Sequence, residues 1–122
     1  MGDEDICANR FVSDTQSWST AQRVASTNAD ETGPAALGLD EVGNAVVVWA
    51  HSDGTHLNMW ANRLLAATDD WATPELIEAD SGLDAAWYDM AVAPNGNATA
   101  VWGTLNVETL TRGDLWANRL RP

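Results

Sequence analysis

The residues that could do chemistry in this chain are its carboxylates, two histidines, one tyrosine, one cysteine and a recurring arginine–tryptophan combination. Two carboxylates flanking a glycosidic bond are the machinery of glycoside hydrolysis, and Asp69 with Asp70, Asp40 with Glu41, and Asp89 supply the acids. Most of the eighteen acids, however, fall in Gly-, Asn-, Ser- and Thr-rich segments, where Asp and Asn cap the backbone of turns. They read as solvated turns, no catalytic residue is assigned, and the chain is not expected to be an enzyme. His51 and His56 flank Ser52–Thr55 with Asp53 between them, donor types that suit a metal ion. The matching segment further along has no histidine at the place of either, so an exposed hairpin without a metal is the expectation. No loop has the alternating acid spacing of an EF-hand. Cys7, being alone, makes neither an intrachain disulfide nor a multi-thiolate site. Asn97-Ala98-Thr99 matches a glycosylation acceptor but sits in an expected hairpin, and is read as coincidence. No cofactor is implied.

The Arg and Trp residues are more informative. Trp60 and Arg63 recur as Trp116 and Arg119, with Trp71 in a turn that follows. Aromatic faces stack on the C–H surfaces of sugars and guanidinium groups donate to hydroxyls. Trp60, Arg63, Trp116, Arg119 and Trp71 are therefore the candidate ligand-binding residues. The competing reading is structural: Arg10, Arg63 and Arg119 stack on a neighbouring unit's Trp or pair with a turn carboxylate, holding units together.

What must position these residues is a repeat. Trp60-Ala61-Asn62-Arg63-Leu64 returns as Trp116-Ala117-Asn118-Arg119-Leu120 and, altered, as Cys7-Ala8-Asn9-Arg10-Phe11, at offsets of 56 and 53. Gly43-Asn44-Ala45-Val46-Val47-Val48-Trp49 matches Gly96-Asn97-Ala98-Thr99-Ala100-Val101-Trp102, and Ser17–Val24 matches Asp70–Ile77, both 53 apart. Seven of the nine aromatic residues are Trp because Trp-bearing segments recur. A period of this length belongs to architectures whose units cannot bury their faces alone.

Each unit reads as four short strands. In the middle copy these are Ala35–Asp40, Ala45–His51, Leu57–Leu65 and Glu75–Ala79, the last opened by Pro74, where no ladder donor is lost. Gly43 and Asn44 are expected to supply positive φ in the first turn. Ala45–Trp49 is apolar at every position, the pattern of a strand covered on both faces. Asp80–Trp87 is read as the link to the next unit. The fold class is all-β. The 122 residues form one two-unit segment, with a partial repeat over 6–34, a full one over 35–80 and three strands of another over 88–121.

The Gly-Asn-Ala hairpin leading to a Trp, then the Trp-Ala-Asn-Arg strand and a Trp-containing turn, resembles bacterial repeat β-propellers with sialidase-like (BNR-like) blades. The resemblance spans essentially residues 6–122. It implies two four-stranded antiparallel blades plus an extra N-terminal strand, a lectin-like glycan-binding role and an extracellular or cell-surface location. It does not extend to catalysis. Ser52-Asp53-Gly54-Thr55 lacks the spacing of an Asp-box, the copy at Asn106–Asp114 loses it, and Tyr88, the only Tyr, has no Glu partner.

Two blades cannot close a ring, since propellers use roughly four to eight. Identical chains joined head to tail are expected to do so, three giving six blades and four giving eight. The fourth strand missing after Leu120 is then supplied by Gln22–Ser26 of another copy. Cys7–Phe11 and Leu115–Leu120 compete for one third-strand position, and the Trp-bearing C-terminal copy is expected to win. The alternative is that the chain is a piece of a longer propeller.

Charge and hydropathy remove other partners. Eighteen acids against six Arg and no Lys leave a net charge of −12, which opposes nucleic-acid backbones. No apolar run approaches a membrane span, and the acidic start shows no targeting segment. The expected partners are further copies of the chain and a glycan.

Overall fold

The structure is a computed structural model that describes residues 5–26, 32–78 and 82–122. Every regular element among them is a β-strand and every pairing is antiparallel. The N-terminal part contains β1 (Asp5–Ala8), β2 (Phe11–Val12), β3 (Ser17–Trp18) and β4 (Gln22–Ser26). It forms two ribbons, β1 with β4 and β2 with β3. The middle sheet contains β5 (Thr32–Leu39), β6 (Ala45–Ser52), β7 (Leu57–Leu65), β8 (Asp70–Trp71) and β9 (Glu75–Leu76). It runs β5-β6-β7, and both short strands pair with β7. The C-terminal sheet is β10 (Asp84–Val92), β11 (Ala98–Asn106) and β12 (Thr111–Leu120), in that order.

The internal register repeats with the sequence. Cys7 faces Arg23 and Ala8 faces Gln22 in the first ribbon. One repeat further on, Trp60 faces Leu76 and Ala61 faces Glu75 in the middle sheet. Ladder shifts also coincide, one between Thr32 and Ala35 and one between Ala86 and Tyr88. In the second, Trp87 takes φ 47° and stands 60% exposed, with the Arg112 guanidinium 5.0 Å above its ring.

The three parts stack. Val46, Val48, Met59 and Ala61 of the middle sheet pack against Ala98, Ala100 and Trp102 of the C-terminal sheet. On the opposite face Val47 and Trp49 pack against Val24 and Ala25 of β4. β6 is therefore buried at every position from Ala45 to Ala50, as its unbroken apolar run predicts. A buried Val or Met side chain contributes roughly 1.5–3 kcal/mol, so this strand anchors both neighbours. Gly38 permits the close stacking of β5 on β10, because a Cβ there would collide with Val92.

Several boundaries differ from the sequence-based expectation. Leu57–Leu65 and Gln22–Ser26 match, but β5 begins at Thr32 and ends at Leu39, β6 extends to Ser52, and β12 begins at Thr111. The fourth strand of the middle sheet is only Glu75–Leu76, with Ala79 outside the described residues. Much of the segment read as a link is strand, since β10 starts at Asp84. Cys7–Phe11 is split between β1 and β2. β7 has β6 along its other edge to keep it straight, and the N-terminal copy has no such neighbour. In the first hairpin only Gly43 has positive φ, at 90°. Asn44 serves through its side chain instead, donating to Asp40 Oδ2 at 2.7 Å and accepting the Ala66 N–H at 2.9 Å.

Candidate functional site

The three Asn-Arg pairs share one local geometry. The side-chain oxygens of Asn9, Asn62 and Asn118 each accept the N–H of the following Arg at 2.8 Å. This leaves the amide nitrogen to reach outward. Asn62 Nδ2 donates to the Val24 carbonyl and Asn118 Nδ2 to the Ile77 carbonyl, both at 2.8 Å. Val24 and Ile77 hold equivalent positions in successive repeats, so consecutive sheets are joined by the same bond. Asn62 is 4% exposed, and a hydrogen bond at such a site is worth about 1 kcal/mol, while an unmet buried partner costs more.

The arginines diverge. Arg10 pairs through Nη2 with the Asp69 carboxylate, on the turn between β7 and β8, so it ties the N-terminal part to the middle sheet. Arg63 Nη1 donates at 2.9 Å to the carbonyl of Gly96, in the hairpin joining β10 and β11, while its buried Nη2 has no partner. The side chain of Arg119 makes no hydrogen bond or ion pair among the described residues. The cation–π contact belongs to Arg112 and Trp87 instead.

Of the five candidate ligand residues, only Trp71 lines the main groove. Trp60 packs with Trp71 against Val47 and Trp49 and meets the His51 ring edge-on at 5.9 Å. Trp116 lies opposite Trp102 on β12 and is 45% exposed. The groove, about 420 Å³, opens between the N-terminal part and the inner strands of the middle sheet. Its walls are largely apolar, with Phe11, Trp18, Leu37, Leu39, Val42 and Trp71, and Arg10, Gln22 and Asp69 are among its polar groups. Phe11 and Trp18 meet edge-on at 5.5 Å, and Gln22 Nε2 donates to the Asp69 carbonyl at 3.0 Å. Sequence reading missed Phe11, Leu37 and Leu39 because a strand predicted in isolation does not reveal which of its faces lacks a neighbour. The Asn of each pair was legible, as it stands in all three copies beside the Arg.

The remaining polar residues organise turns. Asp53 Oδ1 accepts the N–H groups of Thr55 and His56 at 2.8 Å, and Oδ2 accepts Asn58 Nδ2 at 2.9 Å. Those backbone bonds hold its carboxyl below the usual range. Burial pushes the Asp40 carboxyl up, but the Asn44 side chain and the backbone N–H groups around it outweigh that and lower it. Burial depresses His51, against a smaller opposing pull from Asp53. His56 Nδ1 lies 3.6 Å from Asp84, away from His51's contact with Trp60. Burial raises Tyr88, whose hydroxyl stands over Gly33 near the Ala50 backbone and lacks a hydrogen bond of normal geometry. The indole N–H groups of Trp49 and Trp102, at equivalent positions of the two repeats, are both buried without a protein acceptor.

Compared with protein-family models, curated proteins and solved structures, the chain matches none of them.

Proposed function

We propose that the chain is a self-assembling β-propeller module, a binding scaffold whose working surface belongs to a ring of three or four copies. One observation carries this reading: parts of both halves of an interface already made inside the chain recur uncovered at its two ends, although Val47 and Trp49, the equivalents of Ala100 and Trp102, are already covered by β4. Internally, Met90, Val92, Ala100 and Trp102 of the C-terminal sheet meet Ala36, Gly38, Val46 and Val48 of the middle sheet. The equivalents of Met90 and Val92 are Leu37 and Leu39, which are 61% and 58% exposed in the groove. The equivalents of Val46 and Val48 are Thr99 and Val101, both exposed on the far face of β11. Complementary unlike patches make a head-to-tail contact, which closes when the rotation per copy fits. In that contact Arg119 faces the carbonyl of Gly43, as Arg63 faces Gly96.

Native mass spectrometry and light scattering test this. The expected mass is three or four times 13.1 kDa, and Leu39→Asp is expected to release folded monomers. A wild-type chain that stays a 13.1 kDa monomer at high concentration overturns the proposal.

A second reading is favoured by the groove's composition. Trp18, Trp71 and Phe11 beside Arg10, Gln22 and Asp69 offer the stacking faces and hydrogen-bonding groups of a carbohydrate site. It needs the groove open, whereas the ring fills it. A glycan array on protein of measured mass separates the two: ligands held by the monomer and lost on Trp71→Ala support the lectin-like reading, and an assembled protein blank on the array removes it.

A further inference from the structure

We infer that in the assembly β12 of one copy replaces β1 of the next along β4, so that a blade is completed across the chain boundary. This rests on the head-to-tail reading above and specifies its contact. β12 needs a partner: its outer edge is unpaired, all its residues from Thr111 to Arg119 are exposed, and Leu115 and Trp116 are 79% and 45% exposed. An open edge ten residues long with apolar side chains is a template for another strand. In the middle sheet the equivalent edge of β7 is closed by β9, with Trp60 facing Leu76 and Ala61 facing Glu75.

The strand that fits is β4. Its Arg23 and Gln22 are the counterparts, one repeat earlier, of Leu76 and Glu75, and they already face Cys7 and Ala8, the residues equivalent to Trp116 and Ala117. β4 is therefore preset in the required register. It is also fixed in place, since Val24 and Ala25 are buried against the middle sheet and Asn62 grips the Val24 carbonyl. β1 is the looser partner. It spans four residues against ten in β12, its ladder shifts between Ile6 and Cys7, and its residues alternate between exposed and half-buried. Exchange substitutes Trp116 for Cys7 and Leu115 for Ile6, so more apolar surface is covered. The incoming sheet also seats β10 and β11 over Leu37 and Leu39, which fills the groove.

The test places cysteines at the register positions of the full chain in a Cys7→Ser background. Gln22→Cys with Ala117→Cys is treated with a short bis-maleimide and run under denaturing conditions, and Ala8→Cys with Gln22→Cys serves as the competing pair. Exchange predicts covalent multimers from the first pair at the mass of the assembly, and less than a tenth as much linkage within one chain from the second. Absence of multimers from the first pair overturns the exchange. Ala8→Pro supplies an independent measurement, because proline spoils a strand that must pair. The exchange predicts unchanged assembly mass and melting temperature for Ala8→Pro, and dissociation overturns it. An intact assembly with only intrachain linkage removes the exchange and leaves the ring, whereas a monomeric wild type removes both.

Discussion

The pentapeptide Trp-Ala-Asn-Arg-Leu occurs identically in β7 and β12, and the two copies live in different surroundings. In β7, Ala61 and Asn62 are 0% and 4% exposed, and sheets cover the strand on both faces. In β12 the same residues, Ala117 and Asn118, are exposed, because the strand has a neighbour on one face and on one edge only. Both asparagines nevertheless make the same 2.8 Å bond to the preceding unit. The difference teaches that the motif encodes a contact with what comes before it, while its burial depends on what comes after.

The comparison breaks most visibly at the residue preceding the pentapeptide. Met59 is 0% exposed and Leu115 is 79% exposed. Met59→Ala is expected to cost about 2–5 kcal/mol in urea unfolding, and Leu115→Ala within about 0.5 kcal/mol for a single chain. If the chain assembles as proposed, Leu115→Ala gains a second effect, a higher concentration for half-dissociation, read by light scattering. Equal costs in a monomer would mean that the two strands are equally covered.

The asparagines give a smaller contrast. Asn62→Ala strips the Val24 carbonyl and the Arg63 N–H of partners in a buried setting, and about 1–3 kcal/mol is expected. At Asn118 water replaces the lost amide more readily, and about 0.5–1.5 kcal/mol is expected. A double-mutant cycle should show the two losses adding, because they join different pairs of sheets.

The smallest expected effect is on pH dependence. His51 is half-buried against Trp60, and the C-terminal copy has Thr104 at its place. Its pKa in the folded chain lies below the ordinary 6.5. Between those two values the unfolded chain binds more protons, so stability rises with pH through that window and falls on acidification below 6.5. His51→Gln should flatten the slope there, measured as urea midpoints from about pH 7.5 to 5. Asp53 acts at lower pH: its depressed pKa contributes stability above the usual carboxyl value, lost as pH falls through the folded one. A slope unchanged by His51→Gln would assign the acid sensitivity to carboxylates such as Asp53.

Much of the fold was legible because its signals are local. The Val-Val-Val-Trp run identified a strand covered on both faces, and Gly43 and Gly96 marked hairpins where φ reaches 90° and 87°. The split between β1 and β2 was not legible, because it reflects a missing neighbour strand. Nor was the left-handed backbone of Trp87, Asp69 and Gln16, since such φ values are imposed on non-glycine residues by the ladders on either side. Of the candidate site, the arginines were read as sugar contacts or as joints between units, and only the stacked sheets show Arg10 on Asp69 and Arg63 on Gly96.

By itself, then, the sequence determined what depends on neighbours along the chain: an all-β segment, its turns, and a repeat whose last step is slightly longer than the one before it. Tertiary structure decided which of two identical pentapeptides is buried, which arginine finds a carboxylate, and which apolar faces remain open at Leu37, Leu39 and Val101. The physical reason is that hydrophobic burial and long-range hydrogen bonds are properties of pairs of surfaces, and a repeated segment is given a different partner at each end of the stack.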